Sequence, residues 1–204
     1  SPFSQRARLP PNRLWIKSQR TLYVTMRDNF MDCPDRERAA WWGDIVVELG
    51  EVFYSLSPSA HALIRKCMLD LCGWQRPSKT LFSPIPAGNW DKELPQQMLA
   101  SVGKYGFWNY YLNTGDRDTL LAVLPHVRDY LSIWETDADG LIVHRAGENG
   151  WDWADWGENV DIRVLAQMVP LSCTATSAVL GSAGPRFVLR DFPGALPGHW
   201  YHGA

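Results

Sequence analysis

Between residues 13 and 136 the chain repeats one pattern: apolar residues at helical spacing, then a Pro, Gly, Asn or Asp cluster, then another such stretch. Apolar residues recurring every three to four positions form a stripe that another element must cover. Several such segments joined by short links pack on one another as antiparallel helices, which predicts an all-α fold. No period of the tetratricopeptide or ankyrin kind is present.

Residues 13–29 carry Leu14, Trp15, Leu22, Val24 and Met26 between charges and read as an amphipathic helix. Residues 45–55 follow Asp44, a good N-cap. Ser57-Pro58 opens a helix that Gly73 ends. Residues 91–113 read as one long helix with Pro95 in its first turn. Residues 117–136 read as another, kinked or broken at Pro125. Leu141 to His144 suggest a short strand. Residues 166–204 differ: Asp191 is their only acid, Lys is absent, and Pro and Gly interrupt them throughout. They read as an irregular Pro/Gly-rich tail, giving two regions, 1–165 and 166–204.

The 46% hydrophobic and 21% charged fractions suit a globular core rather than a disordered chain. A net charge of -2 gives no electrostatic case for nucleic acid or an anionic membrane. No apolar run approaches a membrane span. The first residues, Ser1 to Arg6, do not form a signal peptide and read as a mature or truncated end. Cys33, Cys67, Cys72 and Cys173 form no CxxC pair and no cluster with His, so four reduced thiols are expected, and no metal or cofactor. Cys67 and Cys72, five apart on a helix, fall on different faces.

Tryptophan is the outlying residue, with 11 copies. Trp15, Trp108 and Trp134 fit a helical core. Six others gather at expected loops: Trp41 with Trp42, then Trp90, then Trp151, Trp153 and Trp156.

The densest chemistry lies in Asp32-Cys33-Pro34-Asp35-Arg36-Glu37-Arg38-Ala39-Ala40-Trp41-Trp42-Gly43-Asp44. Carboxylates bond sugar hydroxyls and move protons, and flat rings cover the apolar faces of a pyranose. On a helix, Glu37, Trp41 and Asp44 would share one face; Pro34 and Gly43 argue instead for a loop entering a helix. Carboxyls held together or buried against tryptophan stay protonated to higher pH, as a general acid for glycosidic cleavage requires. The plainer alternative is a solvated charge run. A second constellation, residues 150–161, alternates Trp151, Trp153 and Trp156 with Asp152, Asp155, Glu158 and Asp161. It reads as a sugar-stacking loop or a structural turn; the acid spacing does not match an EF-hand. A third, weaker one is the Pro/Gly loop from Pro84 that ends in Trp90. P-loop, GxGxxG, HExxH and GxSxG patterns are absent, and the five histidines are scattered.

These residues resemble the catalytic domain of the bacterial α-L-rhamnosidase family of inverting glycoside hydrolases. The family's Asp-Cys-Pro-x-Arg-(Asp)-Glu segment followed by Trp-x-Gly-Asp appears here as Asp32-Cys33-Pro34, Arg36-Glu37 and Trp41-Trp42-Gly43-Asp44. Arg27 to Met31 and Trp90 to Pro95 also look like the family, and Ala154-Asp155-Trp156 resembles its Gly-Asp-Trp loop. The resemblance runs from about residue 10 to Leu165, with Ala40 where the family usually has Gly.

The resemblance implies part of an (α/α)6 toroid with its site at one mouth. Glu37 would be the general acid, and Asp32, Arg36 and Asp44 would hold rhamnose hydroxyls. Trp41, Trp90, Trp153 and Trp156 would line the pocket, with Asp155 beside them. The family's base is a downstream Glu, so the expectation is a chain that holds the acid half of the site and is inactive alone. The implied ligand is a rhamnose-containing glycoside or polysaccharide, and an open half-barrel would favour self-association. Two other readings stay open: a non-catalytic carbohydrate-binding module, and a toroid hydrolase acting on another sugar.

Overall fold

The computed structural model describes residues 11–85, 92–139 and 141–152. Six α-helices succeed one another: α1 (Pro11–Thr25), α2 (Trp42–Ser55), α3 (His61–Gly73), α4 (Pro95–Val102), α5 (Phe107–Thr114) and α6 (Arg117–Leu131). A 3-10 turn, Pro58–Ala60, leads into α3. Among the described residues there is no strand, only isolated antiparallel bridges. The fold is all-α, as the periodicity predicts.

Helix α2 is the hub, packing on α1, α3, α4 and α5, while α3 packs on α5 and α6. Its stripe of Trp42, Ile45, Leu49 and Val52 is fully buried and joins Ile64, Met68 and Leu71 of α3 with Met98, Phe107, Val123 and Tyr130 in one core. Trp42 meets the Phe107 ring edge to face at 5.6 Å.

That packing corrects two expectations about tryptophan. Trp42 is a core residue rather than half of a loop pair, and Trp15, expected in the core, is 47% exposed. Among the described residues nothing covers the first turns of α1, and residues 11–17 are all exposed. Trp108 and Trp134 are partly buried against the core.

The helix ends differ from the pattern for local reasons. Helix α2 begins before Asp44: Trp41 is the N-cap, and its carbonyl accepts from the amides of Asp44 and Ile45 at 3.1 and 3.0 Å. Asp44 therefore lies in the first turn, where a negative charge still favours the helix dipole. The single helix expected over 91–113 is two, α4 and α5, with the break at residues 103–106. A Cβ at Gly106 would lie 2.0 Å from the Ser101 carbonyl oxygen, so the backbones close on each other at a glycine. Helix α1 stops at Thr25, whose carbonyl accepts from Met31 across a tight turn.

Helix α6 is capped by Asp116, whose carboxylate accepts from the Thr119 amide and hydroxyl and from the Tyr110 hydroxyl. It runs through Pro125 without breaking and ends at Leu131, short of the expected 136. Pro125 is on the solvent side, where water can serve the carbonyl that loses its partner. The strand expected at 141–144 is reduced to one bridge, Thr136 with Ile142. Cys67 and Cys72 are both buried, because α3 is packed on more than one side. Cys33, Cys67 and Cys72 are free thiols, and Cys173 and the 166–204 tail lie outside the described residues.

Candidate active site

The segment from Asp32 to Trp41 is a loop, as Pro34 and Gly43 suggested. Its neck is closed by one residue pair: the Asp32 amide donates to the Ala39 carbonyl, and the Ala39 amide donates to Asp32 Oδ1, both at 3.0 Å. Inside the loop the Glu37 amide donates to Cys33 Sγ at 3.2 Å. The Arg36 guanidinium pairs with the Glu37 carboxylate. Arg38 takes φ +53°, a left-handed conformation that a non-glycine residue adopts only when its surroundings impose it.

Asp32, Trp41 and Asp44 are half-buried around this loop, while Arg36 and Glu37 are exposed at its tip. Burial against tryptophan or a second carboxylate beside it would keep a proton-donating acid protonated. Glu37 is instead seated at the surface beside Arg36. Burial acts on a different carboxyl, Glu48, one helical turn beyond Asp44. Desolvation, opposed by a hydrogen bond with Thr25 and reinforced by the charges of Asp44, Asp32 and Glu51, pushes its pKa from 4.5 to about 8. Its Oε2 is buried without a hydrogen-bond partner among the described residues. The signal was legible in the spacing: Asp44, Glu48 and Glu51 fall on one helix face.

The second constellation is tied to the first through the start of α4. Gly43 lies under the Gln97 side chain, so close that a Cβ there would sit 2.5 Å from its amide nitrogen. Gln97 is itself held by the Ser83 hydroxyl at 2.5 Å. The adjacent Gln96 donates to Asp152 Oδ1 at 3.1 Å, and His144 Nε2 lies 2.9 Å from Asp152 Oδ2. The start of α2 and the start of the tryptophan–acid run thus meet at the first turn of α4. Trp151 is 47% exposed there. Trp90, Trp153, Asp155 and Trp156 lie outside the described residues, so their placement is not part of this geometry.

The strap 141–152 reaches that position through Glu93, which is fully buried just before α4. Arg145 makes a two-pronged pair with it, one prong Nη2 to Oε2 at 2.9 Å. The Tyr130 hydroxyl donates to Oε1 at 3.1 Å and the Glu148 amide to Oε2 at 2.8 Å. Burial works against the Arg145 charge, but Glu93 outweighs it and holds the guanidinium pKa above its ordinary value. The Glu148 carboxylate accepts from the Ser78 and Thr80 hydroxyls at 2.7 Å each, which lowers its pKa. Nothing local in the sequence announces the Glu93–Arg145 pair, whose members stand 52 residues apart.

In chemical terms, this end of the bundle offers exposed acid and guanidinium groups on a loop of fixed neck, with an indole and a carboxylate from a second segment held on the first turn of α4. That set can bond hydroxyls, cover an apolar ring face and deliver a proton to an oxygen. No curated protein and no solved structure matches the sequence. A protein-family match does cover residues 8–179, and through it the chain belongs to the bacterial alpha-L-rhamnosidase 6 hairpin glycosidase domain family.

Proposed function

We propose that this end of the helical bundle binds a terminal α-L-rhamnosyl unit and that Glu37 is the general acid for its hydrolysis with inversion. Asp32, Arg36 and Asp44 take the sugar hydroxyls. Trp41 covers an apolar face, and Trp90, Trp153, Asp155 and Trp156 complete the pocket. The observation that carries the reading is the closed neck of the Asp32–Ala39 loop. It holds Asp32, Arg36 and Glu37 in one turn of chain against the start of α2, where Trp41 and Asp44 stand. Membership of a glycosidase family supports hydrolysis as the chemistry. A protonated carboxyl on the leaving oxygen contributes about 10²–10⁴-fold to such a step.

The test is tryptophan fluorescence under titration with L-rhamnose or D-glucose, alongside release of p-nitrophenol from its α-L-rhamnoside. Rhamnose is expected to bind in preference to glucose, and Asp44→Asn to weaken it. Glu37→Gln is expected to leave binding intact and abolish any release. Equal binding of the two sugars sinks the rhamnosyl assignment, and release untouched by Glu37→Gln sinks the acid role.

A further inference from the structure

The strap 141–152 is attached to the helices in an unusual way. None of its described residues is fully buried, and none belongs to the apolar core. Its docking rests on polar groups: Arg145, Tyr130 and the Glu148 amide engage the Glu93 carboxylate, and the Glu148 carboxylate accepts from Ser78 and Thr80 beside Arg76. The Glu93 backbone takes part as well, its amide donating to the Glu148 carbonyl at 3.2 Å. Contact is closest at two glycines: a Cβ on Gly147 would come within 2.3 Å of the Glu93 carbonyl oxygen, and one on Gly150 within 1.7 Å. Arg145 also lies 5.4 Å from the Trp134 ring centroid, which closes the far side of the pair.

We propose that Glu93 is a positioning residue for the sugar site: it docks the strap, and with it Trp151 and Asp152, on the first turn of α4, where Gln97 packs on Gly43 at the start of α2. The proposal rests on the sugar-site reading above. Glu93 touches no ligand. It acts through Arg145 and the Glu148 amide, which fix the chain on either side of Gly147. The Gln96 bond to Asp152 then fixes the carboxylate that follows Trp151. A strap held this way can leave the helices without opening the apolar core, because it contributes nothing to that core. Losing Glu93 therefore acts on the strap first and on the bundle second. Glu93→Gln keeps the shape but places an amide group where either Arg145 or the Glu148 amide needs an acceptor.

Two measurements on the full chain test this: amide hydrogen exchange resolved by segment, and L-rhamnose affinity from tryptophan fluorescence. In Glu93→Gln, exchange at 145–152 is expected to rise about tenfold or more while α2, α3 and α6 keep their protection. Rhamnose affinity is expected to fall about tenfold or more. Gly150→Ala, which pushes the strap away without touching the carboxylate, should reproduce both effects and serves if Glu93→Gln unfolds the chain. Trp151→Ala should cost affinity with strap exchange unchanged. Strap exchange unmoved by both Glu93→Gln and Gly150→Ala overturns the docking role. A freed strap with unchanged rhamnose affinity overturns the link to the site. Failure of the unsubstituted chain to bind rhamnose refutes the sugar-site reading and the positioning role with it; strap exchange would still report separately whether Glu93 docks the segment.

Discussion

Replacing Glu48 by Gln should stabilise the protein in a pH-dependent way. Glu48 is half-buried on α2 with only carboxylates among the charges that raise its pKa, which stands at about 8 against 4.5 for an ordinary glutamate. Between those values the unfolded chain has released a proton that the folded chain still holds. Stability attributable to this group is therefore full below pH 4.5 and is lost as pH rises toward 8. Each unit of separation corresponds to about 1.4 kcal/mol, which puts the ceiling near roughly 5 kcal/mol. Partial hydration and relaxation of the site reduce that to about 1–3 kcal/mol. Gln has the shape of the protonated acid and no proton to lose. The gain from Glu48→Gln should be near zero at pH 4.5, climb through neutrality and level off above pH 8. At about 2–4 °C per kcal/mol for a chain of this size, melting followed by circular dichroism at a series of pH values will resolve it. A gain that does not vary with pH, or a loss of stability above pH 8, refutes the burial argument.

Trp42→Ala should cost about 3–5 kcal/mol and abolish cooperative melting, since Trp42 is fully buried against Phe107 at the hub helix; a loss under about 1 kcal/mol contradicts its place in the core. Asp116→Ala should cost about 0.5–2 kcal/mol, because the side chain caps α6. Its bonds from Thr119, opposed by desolvation and reinforced by Tyr110 and Arg65, lower the Asp116 pKa. The charge-dependent part of that cost is present above the ordinary aspartate range and disappears as pH falls through the lowered pKa, so melts at neutral pH and below pH 3 should differ. The exposed Leu14, Trp15 and Ile16 on α1 should drive concentration-dependent association, reduced by Leu14→Glu with Ile16→Glu; sedimentation showing a monomer at every concentration would count against it.

The helices were legible because their stripes are local. The apolar spacing in α2 and α6 is visible in the chain and reappears as buried faces. Ends were harder, because contacts from elsewhere set them. Helix α2 starts at Trp42 because that ring finds Phe107, far along the chain, and the 91–113 pattern divides where Gly106 meets Ser101. The residues of the site loop were conspicuous by composition, and Pro34 and Gly43 marked it as a loop. How it is seated was not: the loop tip leaves Glu37 exposed, while the carboxyl whose pKa burial raises is Glu48, set by its packing on α2 rather than by neighbouring tryptophans. The Glu93–Arg145 pair was invisible, as ion pairs between distant segments leave no periodic trace.

The closed neck of the site loop has a consequence for how such a segment can change. Asp32 and Ala39 bond to each other, so the chain leaves the bundle and returns to it at one place. A residue gained or lost between them alters only the tip and is not passed on to Trp41, Asp44 or the helix they begin. The tip can therefore be lengthened, shortened or exchanged as a cassette, and the register of everything behind it survives the edit.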